Sequence, residues 1–209
     1  MLIEAKDICF SYRKNRSILE HVDFTMDAGE RVALVGPSGC GKSTLAQILA
    51  GYLKPESGTI LFEGKPLPRK GYCPVQLIYQ HPEKAVNPRW KLSRTLTEGW
   101  EPQEELLKWM GIEKEWLSRY PAELSGGELQ RFCIARAMSP KTRCVIADEM
   151  TAMLDVITQA QIWDVMLKMA ERRKLGLLVV THRMELAERI CTRVVRFEEL
   201  VEENPANVL

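Results

Sequence analysis

The sequence predicts an α/β fold in which buried parallel strands surround a glycine-rich phosphate loop. The first observation is the apolar run Val32–Val35, which leads directly into the phrase GPSGCGKST at Gly36–Thr44. The second is a pair of continuous apolar runs, Cys144–Ala147 and Leu177–Val180, which are typical of parallel strands buried on both faces. Residues Gln159–Arg172 lie between these runs and fit the crossover helix that joins two parallel strands.

The phrase at Gly36–Thr44 fits the pattern G-x-x-x-x-G-K-[ST], which cradles phosphates when it follows a strand and opens a helix. Its glycines let successive backbone N–H groups turn toward one anion, and the positive end of the following helix points at the same place. Lys42 adds a cation for the terminal phosphates, and the Ser43 hydroxyl is a ligand for Mg²⁺. A ligand-free turn is the alternative, but a full match after a strand favours phosphate binding. We predict that the nucleotide is bound by Gly36, Pro37, Ser38, Gly39, Cys40, Gly41, Lys42, Ser43 and Thr44.

Two carboxylates, Asp148 and Glu149, end the apolar strand that begins at Cys144. Open parallel sheets bind ligands at their carboxyl edge, so these side chains should lie beside the phosphate loop. Asp148 is predicted to hold Mg²⁺, and Glu149 to polarise the water that attacks the γ-phosphate. His182 follows the next apolar strand, where its imidazole could bond the γ-phosphate. A purely structural histidine is the alternative at that position.

The remaining elements alternate between strand and helix. Alternating apolar residues at Ile8–Tyr12 and Val22–Met26 predict two antiparallel strands. Further strands are predicted at Thr59–Phe62 and Val75–Tyr79, and a helix at Leu45–Leu53.

A long segment, Arg94–Met138, is predicted to be mostly helical and to form an insert in the α/β frame. Apolar bulk within it comes from Trp100, Trp109 and Trp116. The glutamate-rich stretch from Glu198 onward is expected to fray.

Composition excludes several classes of protein. A chain of 209 residues with 45% apolar residues can form one domain with a proper core. The formal net charge of +1 provides no electrostatic footprint for nucleic acid. The six cysteines include no C-x-x-C spacing, which suggests reduced thiols in a cytosolic protein. Since no apolar run approaches the roughly 18 residues of a membrane span, any membrane role should depend on a partner.

The octapeptide LSGGELQR at Leu124–Arg131 resembles the signature motif of ATP-binding-cassette (ABC) transporter ATPases. The other motifs of that family fall in the expected order along about residues 2 to 197. The resemblance implies a P-loop NTPase of the ABC ATPase type, with a mixed sheet, an antiparallel β subdomain and a helical insert. It implies an aromatic A-loop residue at Tyr12, a Walker A loop at 36–44, a Q-loop glutamine at Gln80, a Walker B motif through Asp148 and Glu149, a D-loop at Ala152–Asp155 and a switch histidine at His182.

The resemblance also implies roles for these residues in binding and cleaving MgATP. Tyr12 would stack on adenine, and Gln80 would contact Mg²⁺ together with Ser43 and Asp148. Gln80 would also act in catalysis beside Glu149 and His182. In the family two cassettes pack head to tail, so the signature residues of one cassette would bind nucleotide held by the other. Those residues are Ser125, Gly126, Gly127 and Glu128.

The implied partners are a second cassette, in a homodimer or heterodimer, transmembrane permease subunits and a substrate-binding protein. Nucleic acid is not among them. The chain is expected at the cytoplasmic face of the cell membrane as a peripheral subunit. Residues 1–209 are predicted to be a single nucleotide-binding domain, with a helical subdomain at about 83–138 inserted in a RecA-like core and a short tail at 198–209.

A narrower resemblance concerns the ATPase subunits of oligopeptide, dipeptide and nickel importers. The segments Gln80–Arg89 and Asp155–Gln161 are similar to the corresponding segments of that group. The chain departs from the family pattern at Met150, Met153 and Arg183, and none of these departures removes a group expected to touch phosphate.

We therefore predict an ATPase that powers import of peptides or nickel and metal complexes. Two alternatives belong to other classes of protein. One is a soluble ABC ATPase that acts in repair or translation, and the other is a regulatory module that binds ATP without cleaving it. Glu149 and His182 argue against the second, because a degenerate site would be expected to have lost one of them.

Overall fold

The structure, a computed structural model, describes residues 1–13, 16–68 and 70–202. The strands are β1 Ile3–Arg13, β2 Arg16–Met26, β3 Arg31–Val35, β4 Ser57–Phe62, β5 Val75–Ile78, β6 Cys144–Asp148, β7 Gly176–Thr181 and β8 Arg193–Arg196. The helices are α1 Lys42–Leu49, α2 Leu92–Leu96, α3 Glu104–Trp109, α4 Gly126–Ala137, α5 Val156–Arg173, α6 Met184–Ile190 and α7 Phe197–Glu202. Among the helices of these ranges, none has the length and apolar content that a membrane span requires.

A five-stranded parallel sheet forms the centre of the fold, in the order β5-β6-β7-β3-β8. Every residue of β6 and β7 is buried, as the continuous apolar runs predict. Because all five strands point the same way, the loops that follow them meet at one edge. The α/β prediction is therefore confirmed.

An antiparallel sheet of three strands, in the order β2-β1-β4, forms a second layer. Along β1 the buried positions switch from odd-numbered to even-numbered residues. Ile3 and Ala5 are buried in the first half of the strand, and Ile8 and Phe10 in the second. The register shifts on either side of Ile8 show that, around this residue, each of the two strands contains one extra residue. These β-bulges keep the apolar residues facing the core despite the break in their spacing.

The segment predicted as mostly helical is more broken than the sequence suggested. It contains α2, α3, α4 and the short 3₁₀ turns Lys114–Ser118 and Pro121–Glu123. Prolines and glycines interrupt the helices, with Gly111 in the left-handed region at φ +62°. Trp116 is buried against Phe132, whereas Trp109 is 44% exposed and does not supply the expected core bulk.

The prediction that the chain frays from Glu198 onward is wrong for the first residues of that segment. Residues up to Glu202 belong to α7, which starts at the buried Phe197 and packs against β2. Apolar contact therefore continues the fold past the last strand. The rest of the predicted tail, 203–209, lies outside the described residues.

Candidate nucleotide-binding and hydrolysis site

The predicted phosphate loop, Asp148, Glu149 and His182 meet at the carboxyl edge of the parallel sheet. In the ladder, Val35 at the end of β3 pairs with Thr181, and Asp148 at the end of β6 pairs with Val180. Three neighbouring strands, β6, β7 and β3, therefore end side by side. The two carboxylates lie at the end of β6, His182 follows β7, and the phosphate loop follows β3.

The phosphate loop connects β3 to α1 through two glycines in unusual backbone conformations. Gly39 has φ +81° and Gly41 has φ +119°, which side chains with a Cβ rarely adopt. Gly36 lies outside this region, so the expectation of a special conformation there is wrong. A Cβ on Gly36 would instead approach Cys40 Sγ and Phe197 Cβ, each to 3.2 Å, so close packing explains this glycine.

Lys42 folds back over the loop that carries it. Its Nζ donates to the carbonyl oxygens of Gly36 at 2.9 Å and Pro37 at 2.6 Å, and it lies 3.6 Å from Cys40 Sγ. Only 5% of the residue is exposed. The ammonium group is thus held inside the phosphate loop, where the terminal phosphates of a nucleotide could exchange with the two carbonyl groups.

Ser43 and Asp148 form a pair of oxygen ligands suited to Mg²⁺. The Ser43 hydroxyl donates to Asp148 Oδ1 at 3.0 Å, joining α1 to β6. Burial raises the pKa of the Asp148 carboxyl, and Glu149 adds to this, while the Ser43 hydrogen bond and Lys42 oppose it. A buried carboxylate gains most from a cation beside it, and Mg²⁺ prefers oxygen donors. The residues present therefore fit this ion.

Glu149 and His182, 33 residues apart in sequence, are in direct contact. His182 Nδ1 lies 2.9 Å from Glu149 Oε1, with the glutamate side chain 19% exposed and the imidazole 52% exposed. Glu149 has φ +46°, and its N–H donates to the carbonyl of Val180 at 3.0 Å. Non-glycine residues rarely adopt a positive φ, and those that do are held there by the surrounding structure, most often at functional sites. The backbone of Glu149 is thereby anchored to β7.

Tyr12 stands at the open side of the phosphate loop. Its ring is 58% exposed and meets Phe10 edge to face at 4.9 Å, and its hydroxyl is 3.3 Å from Thr44 Oγ1. A cavity of about 250 Å³ lies between this ring and the loop. It is lined by Tyr12, Ile18, Gly39, Gly41, Lys42, Ser43 and Thr44.

Three neighbours of the loop were not identified from the sequence, namely Ile18, Leu19 and Phe197. A Cβ on Gly41 would come within 2.8 Å of Phe197 Cζ, 3.1 Å of Leu19 Cδ2 and 3.2 Å of the Ile18 carbonyl oxygen. These contacts to the phosphate loop come from β2 and from α7, which are distant from the loop in the sequence. No local motif signals them, because only the docking of β2 and α7 brings them to the loop.

Gln80 lies two residues beyond the end of β5 and is half-buried, at the same edge of the sheet as Asp148. The adjacent Tyr79 carbonyl accepts a hydrogen bond of 3.1 Å from Nε2 of Gln130, a buried residue of α4. The Q-loop segment is thus tied to α4, the helix that begins with the signature residues. Gln130 belongs to the octapeptide LSGGELQR, but its role as this link was not predicted.

The signature residues begin α4 and are turned toward solvent. Ser125 is exposed and caps the helix, accepting from the Glu128 N–H at 3.3 Å, while its own N–H donates to Glu128 Oε2 at 2.7 Å. These bonds lower the pKa of the Glu128 carboxyl. Gly126 is exposed, and a Cβ on Gly127 would come within 2.9 Å of Leu154 Cδ2. Packing against the D-loop therefore explains Gly127 within one chain.

The three departures from the family pattern occupy different surroundings. Met150 is 2% exposed and packs in the core, whereas Met153 is 55% exposed. Arg183 Nη1 donates to Gln159 Oε1 at 3.2 Å, linking the start of α6 to α5. Met150 and Arg183 line one small cavity together with Glu149 and His182.

Comparison with known proteins supports the geometric interpretation. The ABC transporter family profile matches residues 19–152. The nickel import ATP-binding protein NikE of Rhodospirillum rubrum is 37% identical over 91% of this chain and 76% of its own length. A probable peptide ABC transporter ATP-binding protein of Sinorhizobium fredii is 36% identical over 91% of this chain and 60% of its own length. A dimeric bacterial ABC transporter cassette has the same fold, with a TM-score of 0.79 at 24% identity over 93% of this chain and 94% of that one.

The chain belongs to the ABC transporter family, as an ATP-binding subunit related to those of nickel and peptide importers. The resemblance inferred from the octapeptide and the phosphate loop is thereby confirmed.

Proposed function

We propose that this chain binds MgATP, hydrolyses it and uses the energy to power import of nickel complexes or peptides through partner permeases. The observation that carries the proposal is the contact between Glu149 and His182, 2.9 Å apart, beside the phosphate loop. A binding module that never cleaves ATP would have no need of this pair.

In the proposed mechanism the phosphate loop and Lys42 bind the β- and γ-phosphates, and Tyr12 stacks on the adenine. Ser43, Asp148 and Gln80 would hold Mg²⁺, which when bound would neutralise charge on the phosphates. Glu149 accepts a proton from the attacking water. His182 orients Glu149 through the hydrogen bond at Nδ1 and presents its other ring nitrogen for the γ-phosphate.

We also propose that a second cassette completes the site. The exposed Ser125 and Gly126 and the half-buried Gly127 and Glu128 would contact nucleotide held by the partner. An exposed apolar patch supports a partner near the D-loop, since Met153, Val156 and Ile157 are 55%, 80% and 72% exposed. Apolar groups this exposed and this close together are typical of an interaction site.

The wider assembly in this proposal contains permease subunits and a substrate-binding protein, with the chain on the cytoplasmic face of the membrane. Residues 1–209 act as one nucleotide-binding domain whose helical subdomain, at about 83–138, is inserted in the core. The importer assignment rests on the identities to nickel and peptide import ATP-binding proteins.

The first test is Glu149→Gln, which keeps the side-chain shape and removes the charge that accepts a proton. We expect hydrolysis to fall about 10²–10⁴-fold with ATP binding retained, and ATP-bound protein to accumulate as a dimer. Phosphate release and light scattering coupled to chromatography measure the two effects. Glu188→Gln is the matched control, because Glu188 is exposed on α6 and should leave both unchanged. Hydrolysis by Glu149→Gln at the parental rate would show that Glu149 is not the base.

The cargo requires a separate experiment with the permeases that associate with the chain in its own cell. These are co-purified, placed in lipid vesicles with ATP, and supplied with radiolabelled nickel or labelled dipeptides and oligopeptides. We expect ATP-dependent transport of one of these cargoes. ATP hydrolysis that no permease alters and no cargo accompanies would favour a soluble, non-transport ATPase.

A further inference from the structure

The antiparallel sheet contains a strained pair of residues on facing strands. Asp7 on β1 has φ +57°, and His21 on β2 has φ +52°. Each lies at one of the two opposing bulges that flank the pair Ile8 and Val22. Bulges redirect side chains, and strained non-glycine residues cluster at binding sites. The two bulges together bring side chains of β1 and β2 to one place on the outer face of the sheet.

Three different metal-ligating groups meet at that place. The Asp7 carboxylate oxygen Oδ1 is 2.6 Å from His21 Nδ1, and the His21 N–H donates to Cys9 Sγ at 3.3 Å. One ligand atom from each of Asp7, Cys9 and His21 lies within 4.8 Å of the other two. The Asp7 N–H donates to Asp23 Oδ1 at 2.6 Å, which fixes the backbone that carries the first ligand. Cys9 and His21 are half-buried, and Asp7 is exposed.

The chemistry of this set differs from that of the site for Mg²⁺. Thiolate, imidazole and carboxylate together are the ligands of Zn²⁺ and of similar borderline transition ions, whereas Mg²⁺ takes oxygen. Bonds of about 2.0–2.3 Å around a tetrahedral ion place neighbouring ligand atoms about 3.5 Å apart. The three ligand atoms already lie within 4.8 Å of one another, so small side-chain rotations would bring them to this spacing.

We propose that Asp7, Cys9 and His21 bind one Zn²⁺-class ion, with water as the fourth ligand. On binding, the Cys9 thiol loses its proton to solvent and His21 binds through a neutral ring nitrogen. The ion joins β1 to β2, and β1 also carries Tyr12. The site is independent of the proposed ATP hydrolysis, because none of its ligands belongs to the phosphate loop or to the carboxyl edge of the parallel sheet.

Co²⁺ is the probe, because a thiolate bound to it produces a near-ultraviolet charge-transfer band that an oxygen-only site cannot produce. The full chain is titrated with Co²⁺ in excess Mg²⁺ and reductant. We expect the band to saturate at one equivalent, and Zn²⁺ to abolish it. Cys9→Ser should lose the band. His21→Asn, which retains a residue tolerant of positive φ, should weaken Co²⁺ binding about tenfold or more.

Cys73→Ser is the matched control, since Cys73 is another half-buried free cysteine away from this cluster. It should keep the band and the parental affinity. ATP binding by each variant shows that it is folded, and His21→Asn keeps the test decisive if Cys9→Ser does not fold. The proposal is overturned if the parent shows no band, if Cys9→Ser retains it, or if His21→Asn binds Co²⁺ as tightly as Cys73→Ser does.

Discussion

Asp148 shows how the fold controls a single ionisable residue. Its carboxyl is 6% exposed, and burial raises its pKa above the ordinary value of 3.8. The folded state therefore holds a proton on Asp148 at pH values where the unfolded chain has lost it. Linkage then requires that stability falls as pH rises through this window, so the ionised carboxylate destabilises the metal-free protein at neutral pH.

Asp148→Asn should consequently stabilise the metal-free protein while it abolishes Mg²⁺-dependent ATP binding. The amide oxygen can still accept the Ser43 hydrogen bond, and the buried carboxylate charge is removed. We expect the midpoint of thermal unfolding in EDTA at pH 7 to rise on the order of 2–4 °C, which corresponds to about 1 kcal/mol at this chain length.

The difference between Asp148→Asn and the parent should shrink as the pH is lowered toward 4, because the parent carboxyl becomes neutral as well. Asp164→Asn is the control, as Asp164 is exposed in an ion pair with Lys168 and should change stability little. A lower unfolding midpoint for Asp148→Asn in EDTA at pH 7 would refute this account of Asp148.

At the scale of elements, the start of α5 combines a helix cap with exposed apolar side chains. Asp155 caps its start by accepting from the Thr158 N–H at 2.9 Å, and hydrogen bonds from the Thr158 side chain and backbone lower the pKa of this carboxyl. The first turn then exposes Val156 and Ile157, although the buried side of the helix carries Ile162 and Trp163. Exposed apolar residues beside a capped start are expected to contact a partner.

Ile157→Glu should therefore prevent the dimer that Glu149→Gln accumulates with ATP, because it places a charge in the proposed interface. The double variant should bind ATP and elute as a monomer. Lys168→Glu, three turns further along α5, is the control and should leave the dimer intact. An unchanged dimer with Ile157→Glu, measured by light scattering, would place the interface elsewhere.

At the scale of the whole molecule, Arg173 joins the end of the helical segment to the core. Its guanidinium donates to the carbonyls of Met138 at 3.0 Å, Ser139 at 2.5 Å and Thr142 at 3.1 Å. Partial burial lowers the pKa of this side chain. A planar fork of donors thus binds three carbonyls in the loop between α4 and β6, where the Ser139 carbonyl also accepts from the Thr142 N–H at 2.9 Å.

Arg173→Lys should lower the unfolding free energy by about 1–3 kcal/mol, because an ammonium group cannot reach all three carbonyls in that geometry. Arg172→Lys is the matched control, since Arg172 is exposed and its guanidinium lies 5.9 Å from the centre of the Trp109 ring. Urea unfolding of both variants measures the difference. Equal stability of the two would mean that the loop is held by other contacts.

Local chemistry made part of this protein predictable from the sequence. Apolar runs such as Cys144–Ala147 indicate buried parallel strands, and the spacing of glycines, Lys42 and Ser43 indicates a phosphate loop. Each signal depends on neighbouring residues alone. The helical segment was predicted less well, because Gly111 and Pro121 interrupt helices in ways that apolar content does not reveal.

The sequence by itself determined the fold class, the family and the residue types of the nucleotide site, since these follow from short motifs with fixed spacing. Only the tertiary structure decided which distant groups touch. It brought His182 to Glu149, Ile18 and Phe197 to the phosphate loop, and His21 to Asp7. Such contacts arise from strand order and from paired bulges, which depend on packing of the whole chain rather than on any local segment.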